Sequence, residues 1–346
     1  MKVLVLNPGA TSTKISIFEE ENEVFKTNLV HHAADLAPYA HVIDQGPFRK
    51  QLILETVEKA GYQMTDFDAV CGRGGLLRHI PSGTYAVSDQ AIADVLDPPY
   101  GEHASNLGVL LARELGDMAG IPSFFVDPVC VDEMTPVAHV TGFKGMERGS
   151  FFHALNQKSI ARKAAKLLGK TYEEARLIVI HMGGGVSVAA HENGLAVDDF
   201  NVKDEGAFGM DRAGSLPVNA MINLCFSGLT KQEVKKLLGS EAGAYSYVGT
   251  KDFREVERRA FEENDPDCRM VFDAMAYQLA KDIGAMAAVL KFQVDAIVYT
   301  GGFTQAITDY VGNLAPVLRL PGEEEMRSLA EGALRVLHGE QAKVYP

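Results

Sequence analysis

The chain has 346 residues, of which 47% are hydrophobic and 23% are charged. These proportions are typical of a globular protein, and the length is enough for two domains. The formal net charge of −13 argues against a nucleic-acid-binding protein, which normally carries a basic patch, although a few local arginines can still attract an anionic substrate.

Predicted strands and helices alternate along the first half of the chain. Strands are expected at residues 2–6, 68–71 and 122–126, and helices at 48–60, 88–96, 104–119 and 156–168. This alternation predicts an α/β architecture.

The second half repeats the mixture of elements. Strands are expected at 177–180 and 295–300, and helices near 218–225, 231–238, 252–263, 267–292 and 322–337. We therefore expect a first lobe at residues 1–165 and a second at 166–346, and the last helix could pack back on the first lobe.

Two segments of similar pattern, one in each half, indicate an internal duplication. A buried strand runs into Asn7–Lys14 and then alternates to a turn near Asn22; another runs into His181–Gly185 and alternates to a turn at Asn193. Aligning Asn22 with Asn193 gives an offset of 171 residues. Two such strand–turn–strand units, each with backbone N–H groups at its turn, suit the binding of a polyphosphate.

Several residues at these turns are candidate phosphate ligands. The hydroxyl groups of Thr11, Ser12 and Thr13 could donate hydrogen bonds, as could His181 beside its glycine turn. Gly301-Gly302 follows another buried strand, at the strand end where α/β proteins bind ligands. Each turn taken alone could equally be an ordinary hairpin.

Two arginines and one aspartate point to anion and metal chemistry. Arg73 and Arg212 each lie in a glycine-rich loop, where a guanidinium can form a fork with phosphate or carboxylate oxygens. Asp127 ends a strand and could hold Mg²⁺ or simply begin a turn. His103 and His153 each precede a helix and are either helix caps or ligands.

Other features exclude several protein classes. The sequence has no G-x-x-x-x-G-K-[ST], H-E-x-x-H, G-x-S-x-G or G-x-G-x-x-G motif. Four scattered cysteines without C-x-x-C spacing favour free thiols over disulfides or zinc. We expect no leader, because the first residues enter a predicted strand without a basic and then apolar region, and no membrane span, because no apolar run approaches the roughly 18 residues needed. We expect a cytoplasmic protein without membrane or nucleic-acid partners.

Six motifs together resemble the acetokinase family, within the sugar kinase, Hsp70 and actin superfamily. They are N-P-G-A-T-S-T-K at Asn7–Lys14, G-R-G-G at Gly72–Gly75, E-H-A-S-N at Glu102–Asn106, F-H-A-L-N at Phe152–Asn156, H-M-G-G-G at His181–Gly185 and T-G-G at Thr300–Gly302. The versions G-R-G-G-L-L and D-E-G-A-F-G-M-D-R-A-G-S-L-P resemble the butyrate kinases of this family more than its acetate kinases.

The resemblance implies a two-domain, duplicated ribonuclease-H-like fold of the actin/Hsp70 type, with a cleft between the domains. It also implies an ATP- and Mg²⁺-dependent kinase that converts butyrate to butyryl phosphate, leaves ADP and works reversibly. A homodimer or higher homo-oligomer is expected on the same ground.

The resemblance also implies roles for individual residues. Those at the reaction centre are Asn7, Arg73, Asp127, His153 and Arg212. Those around the nucleotide are Thr11, Ser12, Thr13, Lys14, His181, Gly183, Gly184, Gly185, Asp252, Phe253, Arg254, Gly301 and Gly302. Those at the acyl pocket are Gly74, Gly75 and His103, and those at the metal are Asn7, Asp127 and Glu324. The neighbours Glu323 and Glu325 leave the register of the last residue open.

Two positions depart from the acetate kinase pattern. Gly184 stands where those enzymes usually have an asparagine. Gly75 stands where they have a valine that bounds the acyl pocket, which predicts space for a longer acid. The alternatives are a kinase for isobutyrate, propionate or acetate, a phosphate acyltransferase that uses coenzyme A instead of ATP, and a nucleotide-binding scaffold without turnover.

Overall fold

A computed structural model describes residues 1–183, 185–301, 304–322 and 324–346. The chain forms two compact units. The first comprises Met1–Asp132, His153–Ser159 and Glu323–Pro346, and the second comprises Glu133–Phe152 and Ile160–Gly322. The chain thus passes between the units more than once, instead of crossing a single boundary near residue 165.

The strands are numbered in chain order. They are β1 Lys2–Pro8, β2 Ser12–Glu19, β3 Asn22–Val30, β4 Ala69–Arg73, β5 Thr84–Ala86, β6 Ser123–Val126, β7 Leu177–Met182, β8 Val186–Glu192, β9 Leu195–Phe200, β10 Ala296–Gly301 and β11 Val317–Arg319. One sheet has the order β3-β2-β1-β4-β6-β5 and the other the order β11-β10-β7-β8-β9.

The helices are also numbered in chain order. They are α1 Ala33–Leu36, α2 Gly46–Lys59, α3 Asp89–Leu96, α4 Asn106–Ala119, α5 Pro136–His139, α6 Ala154–Leu167, α7 Val218–Cys225, α8 Lys231–Ser240, α9 Gly243–Val248, α10 Phe253–Phe261, α11 Pro266–Val289, α12 Thr304–Val311 and α13 Glu325–Leu337. Short 3₁₀ helices span Val42–Gln45 and Met64–Asp66. In the described part of the chain, no helix combines the length and the apolar character needed to cross a membrane.

The first sheet is covered on both faces. Helices α2 and α4 pack Ile53, Val57 and Leu111 against one face, and α13 packs Leu329 and Ala333 against the other. Strands β1, β4 and β6 are parallel neighbours, so their carboxyl ends lie at one edge of the sheet.

Glycines bring α4 into close contact with β4. A Cβ atom on Gly72 would lie 1.9 Å from the carbonyl oxygen of Gly108, and one on Gly108 would lie 2.2 Å from the carbonyl oxygen of Arg73. Only glycine allows these backbones to approach so closely. The contact fixes the start of α4 beside the end of β4, where Arg73 lies.

The second sheet is built in the same way. Strands β7, β10 and β11 are parallel, and α11 packs Leu279 and Ile283 on one face. The carboxyl-terminal part of α6 packs Ile160 and Ala164 on the other face.

The structure confirms the internal duplication and corrects its offset. β1-β2-β3 and β7-β8-β9 are both antiparallel meanders, and each has a register shift, after Ile17 in one and after Ala190 in the other. The turn residues Glu20 and Asn193 both have positive φ, 50° and 55°. Both comparisons give an offset of 173 residues, so Asn193 corresponds to Glu20 and not to Asn22.

The predicted helices and strands are present, with shifts of a few residues at their ends. The prediction missed the strands β3, β5, β9 and β11 and the helices α1, α5, α9 and α12. β3 alternates between exposed and half-buried residues and has no apolar run to mark it. Helix α11 ends at Val289, three residues before the predicted end, because Lys291 and Phe292 adopt positive φ.

Candidate functional site

Three polar side chains lie at the carboxyl edge of the first sheet. Asn7 is the last residue but one of β1, Arg73 ends β4, and Asp127 directly follows β6. The parallel pairing of these strands brings the three residues to one edge, although they are far apart in sequence. This is the edge at which open α/β sheets bind ligands.

A buried carboxylate joins two of these side chains. Glu325 Oε2 accepts a hydrogen bond from Asn7 Nδ2 at 2.7 Å and another from Arg73 Nη1 at 3.2 Å. Arg73 Nη2 lies 3.1 Å from Glu325 Oε1, and Arg73 Nη1 also contacts Asn7 Oδ1 at 3.3 Å. Since Asn7 and Glu325 are only 4% and 8% exposed, the guanidinium holds its partner in a largely water-excluded place.

The contacts distinguish Glu325 from its neighbour Glu324. Glu325 is the first residue of α13, and its side chain points to Asn7 and Arg73. Glu324 instead lies 3.9 Å from Arg327 Nε, and its carbonyl oxygen accepts hydrogen bonds from Ser328. Of Glu324 and Glu325, which the sequence could not separate, Glu325 is therefore the one that contacts Asn7 and Arg73. Glu323 lies outside the described residues.

Asp127 is held in one orientation by the segment before β5. Its Oδ1 accepts hydrogen bonds of 2.7 Å from both Ser82 Oγ and the Gly83 backbone N–H. The residue is 4% exposed and has a φ of 38°, a left-handed conformation that is uncommon for residues other than glycine. Such a conformation is maintained only where the surroundings determine it, which here are the two donors.

The expectation that Gly75 leaves space for a longer acid is wrong at this position. A Cβ atom on Gly75 would lie 2.0 Å from Asn106 Oδ1 and 2.6 Å from the Asn106 backbone nitrogen. Asn106 Oδ1 also accepts the Leu76 N–H at 2.8 Å. The first residue of α4 thus occupies the volume that a larger residue at position 75 would need.

The other two residues expected at the acyl pocket lie close to this contact. A Cβ atom on Gly74 would lie 2.6 Å from Pro128 Cβ, so Gly74 allows the loop after β6 to pack against it. His103 is exposed just before α4, and its Nδ1 accepts the Ser105 N–H at 3.2 Å. These contacts give both residues a local structural role, and their place in an acyl pocket remains a prediction.

The turn between β1 and β2 presents only some of its expected ligands. Thr11 is exposed and Ser12 is half-buried, but Thr13 is fully buried. Its hydroxyl oxygen accepts a hydrogen bond from Arg49 and contacts His31 Nε2 at 2.8 Å. Thr13 therefore points into the core, and donation from its hydroxyl to a phosphate does not fit the structure.

A surface pocket of about 350 Å³ lies beside this turn. It is lined by Asn7, Lys14, Lys26, Thr27, Asn28, Glu325 and Met326. Lys14, which was predicted to contact the nucleotide, therefore lines the same pocket as Asn7 and Glu325.

In the second unit, the expected phosphate-binding residues also lie at a sheet edge. His181 pairs with Thr300 and Met182 with Gly301 across the parallel strands β7 and β10. Gly183 donates its N–H to the Gly185 carbonyl at 3.0 Å and forms the turn that follows β7. Gly184 and Gly302 lie outside the described residues.

The residues expected around adenosine form the start of α10. Asp252 Oδ1 accepts the Arg254 N–H at 2.9 Å and so caps the helix. Phe253 stacks on Phe272, with 5.8 Å between ring centres, and the Arg254 side chain is 90% exposed. This geometry gives each of them a local structural role, and their contact with a nucleotide remains a prediction.

Arg212 lies in a loop of the second unit that is packed through glycines. A Cβ atom on Gly243 would lie 2.3 Å from the Gly209 carbonyl oxygen and 2.9 Å from that of Arg212. The Arg212 guanidinium is half-buried and lies 3.4 Å from the Val202 carbonyl oxygen. These close backbone contacts fix the position of the Arg212 backbone within the loop.

A buried ionic network fixes the beginning of the same loop. Arg148 Nη1 donates to Asp198 Oδ1 and Nη2 to Glu205 Oε2, each at 2.9 Å. Beside it, Asp199 Oδ2 accepts the Ser150 hydroxyl at 2.5 Å. Burial raises the pKa of Asp199 to about 7, and the neighbouring Asp198 adds to the effect.

His153 lies directly before α6, and its carbonyl oxygen accepts the Gln157 N–H at 2.8 Å. Its side chain is half-buried. This is consistent with the start of a helix, and its catalytic role remains a prediction.

Comparison with known proteins identifies the family. The sequence model of the Acetokinase family matches residues 144–323, which is more than half of the chain. The chain belongs to the acetokinase family. Membership of the acetokinase family indicates a kinase whose phosphoryl acceptor is a carboxylate.

Solved structures similar to this acetokinase-family chain confirm the fold. An acetate kinase from Porphyromonas gingivalis has a TM-score of 0.79 at 21% identity, covering 97% of this chain and 99% of that one. A propionate kinase from Francisella tularensis has a TM-score of 0.77 at 16% identity, covering 96% and 98%. A ROK family protein from Streptococcus pneumoniae has a TM-score of 0.51 at 12% identity, covering 98% and 100%. These likenesses confirm the ribonuclease-H-like fold of the actin/Hsp70 type.

The acetokinase-family site offers oxygen ligands that suit Mg²⁺. Within residues 1–183, 185–301, 304–322 and 324–346, no group of three or more His, Cys, Asp and Glu side chains is arranged to hold a metal. Mg²⁺ does not need such a group, because it usually binds one or two carboxylates together with water and substrate phosphates. The adjacent oxygens of Asn7 and Glu325, with Asp127 after β6 at the same edge of the sheet, fit that requirement.

Two residues that contact the predicted ones were not singled out from the sequence pattern. Glu325 was one of three consecutive glutamates, which no local pattern separates. Arg49 was assigned to a helix without a role, yet it lies one and two turns before the core residues Ile53 and Val57 on α2. A cation on the apolar face of a helix was the signal that could have identified it.

Proposed function

We propose that this protein transfers the γ-phosphoryl group of ATP to the carboxylate of a short-chain acid, reversibly, and that butyrate is its preferred acceptor. The products would be butyryl phosphate and ADP. The observation that carries the proposal is the joint contact of Arg73 and Asn7 with Glu325 at the carboxyl edge of the first sheet.

The chemistry of the acceptor explains why an arginine is needed there. A short-chain acid has a pKa near that of glutamate, about 4.3, so it is already an anion at neutral pH. No general base is required, and the obstacle is the approach of one anion to another. Catalysis then consists of charge neutralisation and in-line positioning.

The contact between Arg73 and Glu325 indicates how a carboxylate would bind. The guanidinium already holds a carboxylate through both of its terminal nitrogens, which contact the two oxygens of Glu325. A substrate carboxylate can take the same place on Arg73. Arg212 would stabilise the charge of the phosphoryl group, and His153 would donate to one of its oxygens.

The remaining carboxylates are suited to the metal. Asn7, Asp127 and Glu325 would hold Mg²⁺, with Glu324 adjacent in sequence. When bound, Mg²⁺ would supply positive charge that neutralises part of the charge of the nucleotide phosphates.

The nucleotide would bind to the glycine turns. Thr11, Ser12 and Lys14 are proposed to contact phosphate oxygens. The same role is proposed for His181, Gly183, Gly184, Gly185, Gly301 and Gly302. Asp252, Phe253 and Arg254 are proposed to lie near adenosine. A homodimer or higher homo-oligomer, and a cytoplasmic location, belong to the same proposal.

The choice of butyrate rests on the resemblance of the Arg73 and Arg212 loops to those of butyrate kinases. Gly75 no longer supports it, because Asn106 fills the adjacent space. Kinases for acetate, propionate or isobutyrate are the alternatives within the same reaction class.

An acyl hydroxamate assay tests this proposal. With Mg²⁺ and ATP, we expect product from butyrate, and a kcat/KM at least tenfold higher than with acetate, since two further buried methylenes contribute about 0.8 kcal/mol each. Propionate, isobutyrate and valerate complete the series.

Two controls separate the alternatives. Omitting ATP and adding acyl coenzyme A with phosphate tests for a phosphate acyltransferase. Preference for another acid would reject butyrate alone, whereas no hydroxamate from any acid would reject the kinase.

A further inference from the structure

Arg49 lies behind the turn that joins β1 to β2, and its side chain is completely buried. It lies on α2, and its guanidinium reaches the interior side of the Gly9–Thr13 segment. In the part of the chain that the structure describes, Arg49 has no acidic partner. A buried cation without a carboxylate is costly, so its hydrogen bonds must compensate for the lost hydration.

Of the six hydrogen bonds that Arg49 donates to the described residues, four go to the Gly9–Thr13 turn and two go to Gln45. Arg49 Nη1 donates to the carbonyl oxygens of Gly9 and Ser12, each at 2.9 Å, and Nη2 donates to that of Ala10 at 3.3 Å. The Thr11 carbonyl accepts the His31 N–H at 2.8 Å. All four consecutive carbonyls of the turn are therefore engaged.

This arrangement determines where the amide groups point. In a planar trans peptide the N–H is directed opposite to the C=O. Because the Gly9 and Ala10 carbonyls point to Arg49, the N–H groups of Ala10 and Thr11 point away from it, and both residues are exposed. Successive outward N–H groups form a concave site for an anion.

Gln45 fixes the orientation of the guanidinium. Its Oε1 accepts hydrogen bonds from Arg49 Nε at 3.1 Å and Nη2 at 2.8 Å, one helical turn earlier on the chain. With Nε and Nη2 held in this way, Nη1 is directed at the turn. Burial lowers the pKa of Arg49 to about 10, so it still carries its charge at neutral pH.

We propose that Arg49 is a positioning residue for nucleotide phosphates: it holds the Gly9–Thr13 turn with its amides outward and places a positive charge behind them. This rests on the proposed kinase function, because the phosphates are those of ATP and ADP. Arg49 does not touch the ligand and acts through the turn.

Substitution of Arg49 by lysine tests the inference. Arg49→Lys keeps the charge, but its single nitrogen cannot occupy the separate positions of Nε, Nη1 and Nη2 that contact Gln45 and the turn. We expect the Kd for the fluorescent analogue mant-ADP with Mg²⁺ to rise, and kcat/KM for ATP to fall, by about tenfold or more. The KM for the acid should stay within about twofold, since Arg73 is unchanged. Lys59→Met, a cation at the exposed end of the same helix, is the control and should behave like the wild type.

Unchanged nucleotide parameters in a folded Arg49→Lys protein would overturn the inference. If the KM for ATP and the KM for the acid both rise in parallel with a loss of thermal stability, Arg49 has a structural role only, and the inference is also overturned. If Arg49→Lys does not fold, Gln45→Leu carries the test, because it keeps the guanidinium but removes its anchor. We expect that variant to weaken mant-ADP binding by about threefold, and no change there would also overturn the inference.

Binding and turnover separate this inference from the proposed function. A wild-type protein that phosphorylates no acid but binds mant-ADP would refute the kinase, while the comparison of variants would still decide the role of Arg49. A wild-type protein that binds no mant-ADP would refute the role of Arg49 directly.

Discussion

The contact of Arg73 with Glu325 is both a structural ion pair and a carboxylate-binding geometry. The two side chains are 18% and 11% exposed, so their desolvation is substantial and neither charge is easily left alone. In the proposed function, a substrate carboxylate would replace Glu325 on this arginine. This exchange connects the stability of the first unit with its proposed activity.

Removing Arg73 should affect stability and activity in separable ways. Arg73→Ala leaves Glu325 with Asn7 but without its cation, so we expect the free energy of unfolding to fall by about 3 kcal/mol or more. Acyl hydroxamate formation should fall by at least about a hundredfold. Urea unfolding and the hydroxamate assay measure the two effects.

A double variant provides the control for this prediction. Arg73→Ala with Glu325→Gln removes the uncompensated charge and should recover most of the stability but none of the activity. Recovery of activity in the double variant would show that Arg73 serves only as the partner of Glu325.

At the scale of elements, a group of acidic side chains around Arg148 holds the start of the loop that follows β9 in place. Arg148 links Asp198 to Glu205, and Asp199 lies beside them with its Oδ2 bonded to Ser150. Among the described residues, Asp199 Oδ1 is a buried oxygen without a hydrogen-bond partner. A carboxyl in this position ionises with difficulty, in agreement with its raised pKa.

The stability of the protein should therefore fall as pH rises between about 4 and 7. In this range the folded state retains a proton on Asp199, with a pKa of about 7, that the unfolded chain has lost near 3.9. The contribution is on the order of 1–4 kcal/mol and is fully present only below the unfolded pKa. Urea unfolding at pH 5 and pH 8 measures it.

Asp199→Asn should remove this part of the pH dependence, because the amide cannot ionise. Asp204→Asn, at an exposed carboxylate in the same loop, should leave the dependence unchanged. An Asp199→Asn protein with the wild-type pH dependence would contradict the assignment.

At the scale of the whole molecule, the last helix completes the first unit. Helix α13 packs Leu329, Ala330 and Ala333 on the face of the sheet that includes Val3 and Cys71. The unit is thus assembled from Met1–Asp132, the short segment His153–Ser159 and Glu323–Pro346. Its folding requires contacts between residues more than 300 positions apart, such as Asn7 with Glu325.

A chain that ends at Gly322 should fail to fold its first unit. Loss of α13 exposes the apolar face that it covers, and Cys71, which is fully buried in the complete protein, should become reactive. Titration with a thiol reagent should detect at least one thiol beyond the exposed Cys225. A truncated protein with Cys71 still protected would show that α13 is dispensable.

The local pattern of the sequence determined the elements and the strand ends. The central strands and most of the longer helices follow from short-range periodicity, so the positions of Asn7, Arg73 and Asp127 at strand ends are predictable from the sequence alone. The outer strands β3 and β9 of the two meanders were not predicted. The offset of the repeat was in error by two residues because turn residues were aligned by type, while the backbone aligns them by conformation.

Tertiary structure alone decided the composition of the site. It brought Glu325 to Arg73, Arg49 to the carbonyls of the turn, and Asn106 into the space beside Gly75. Each of these contacts joins segments that are distant in the chain. Whether a buried charge or a glycine stabilises the fold therefore depends on the groups that the other segment places beside it. The sequence therefore specified the polar residues at the sheet edges, whereas the packing of α2, α4 and α13 determined what each of them contacts.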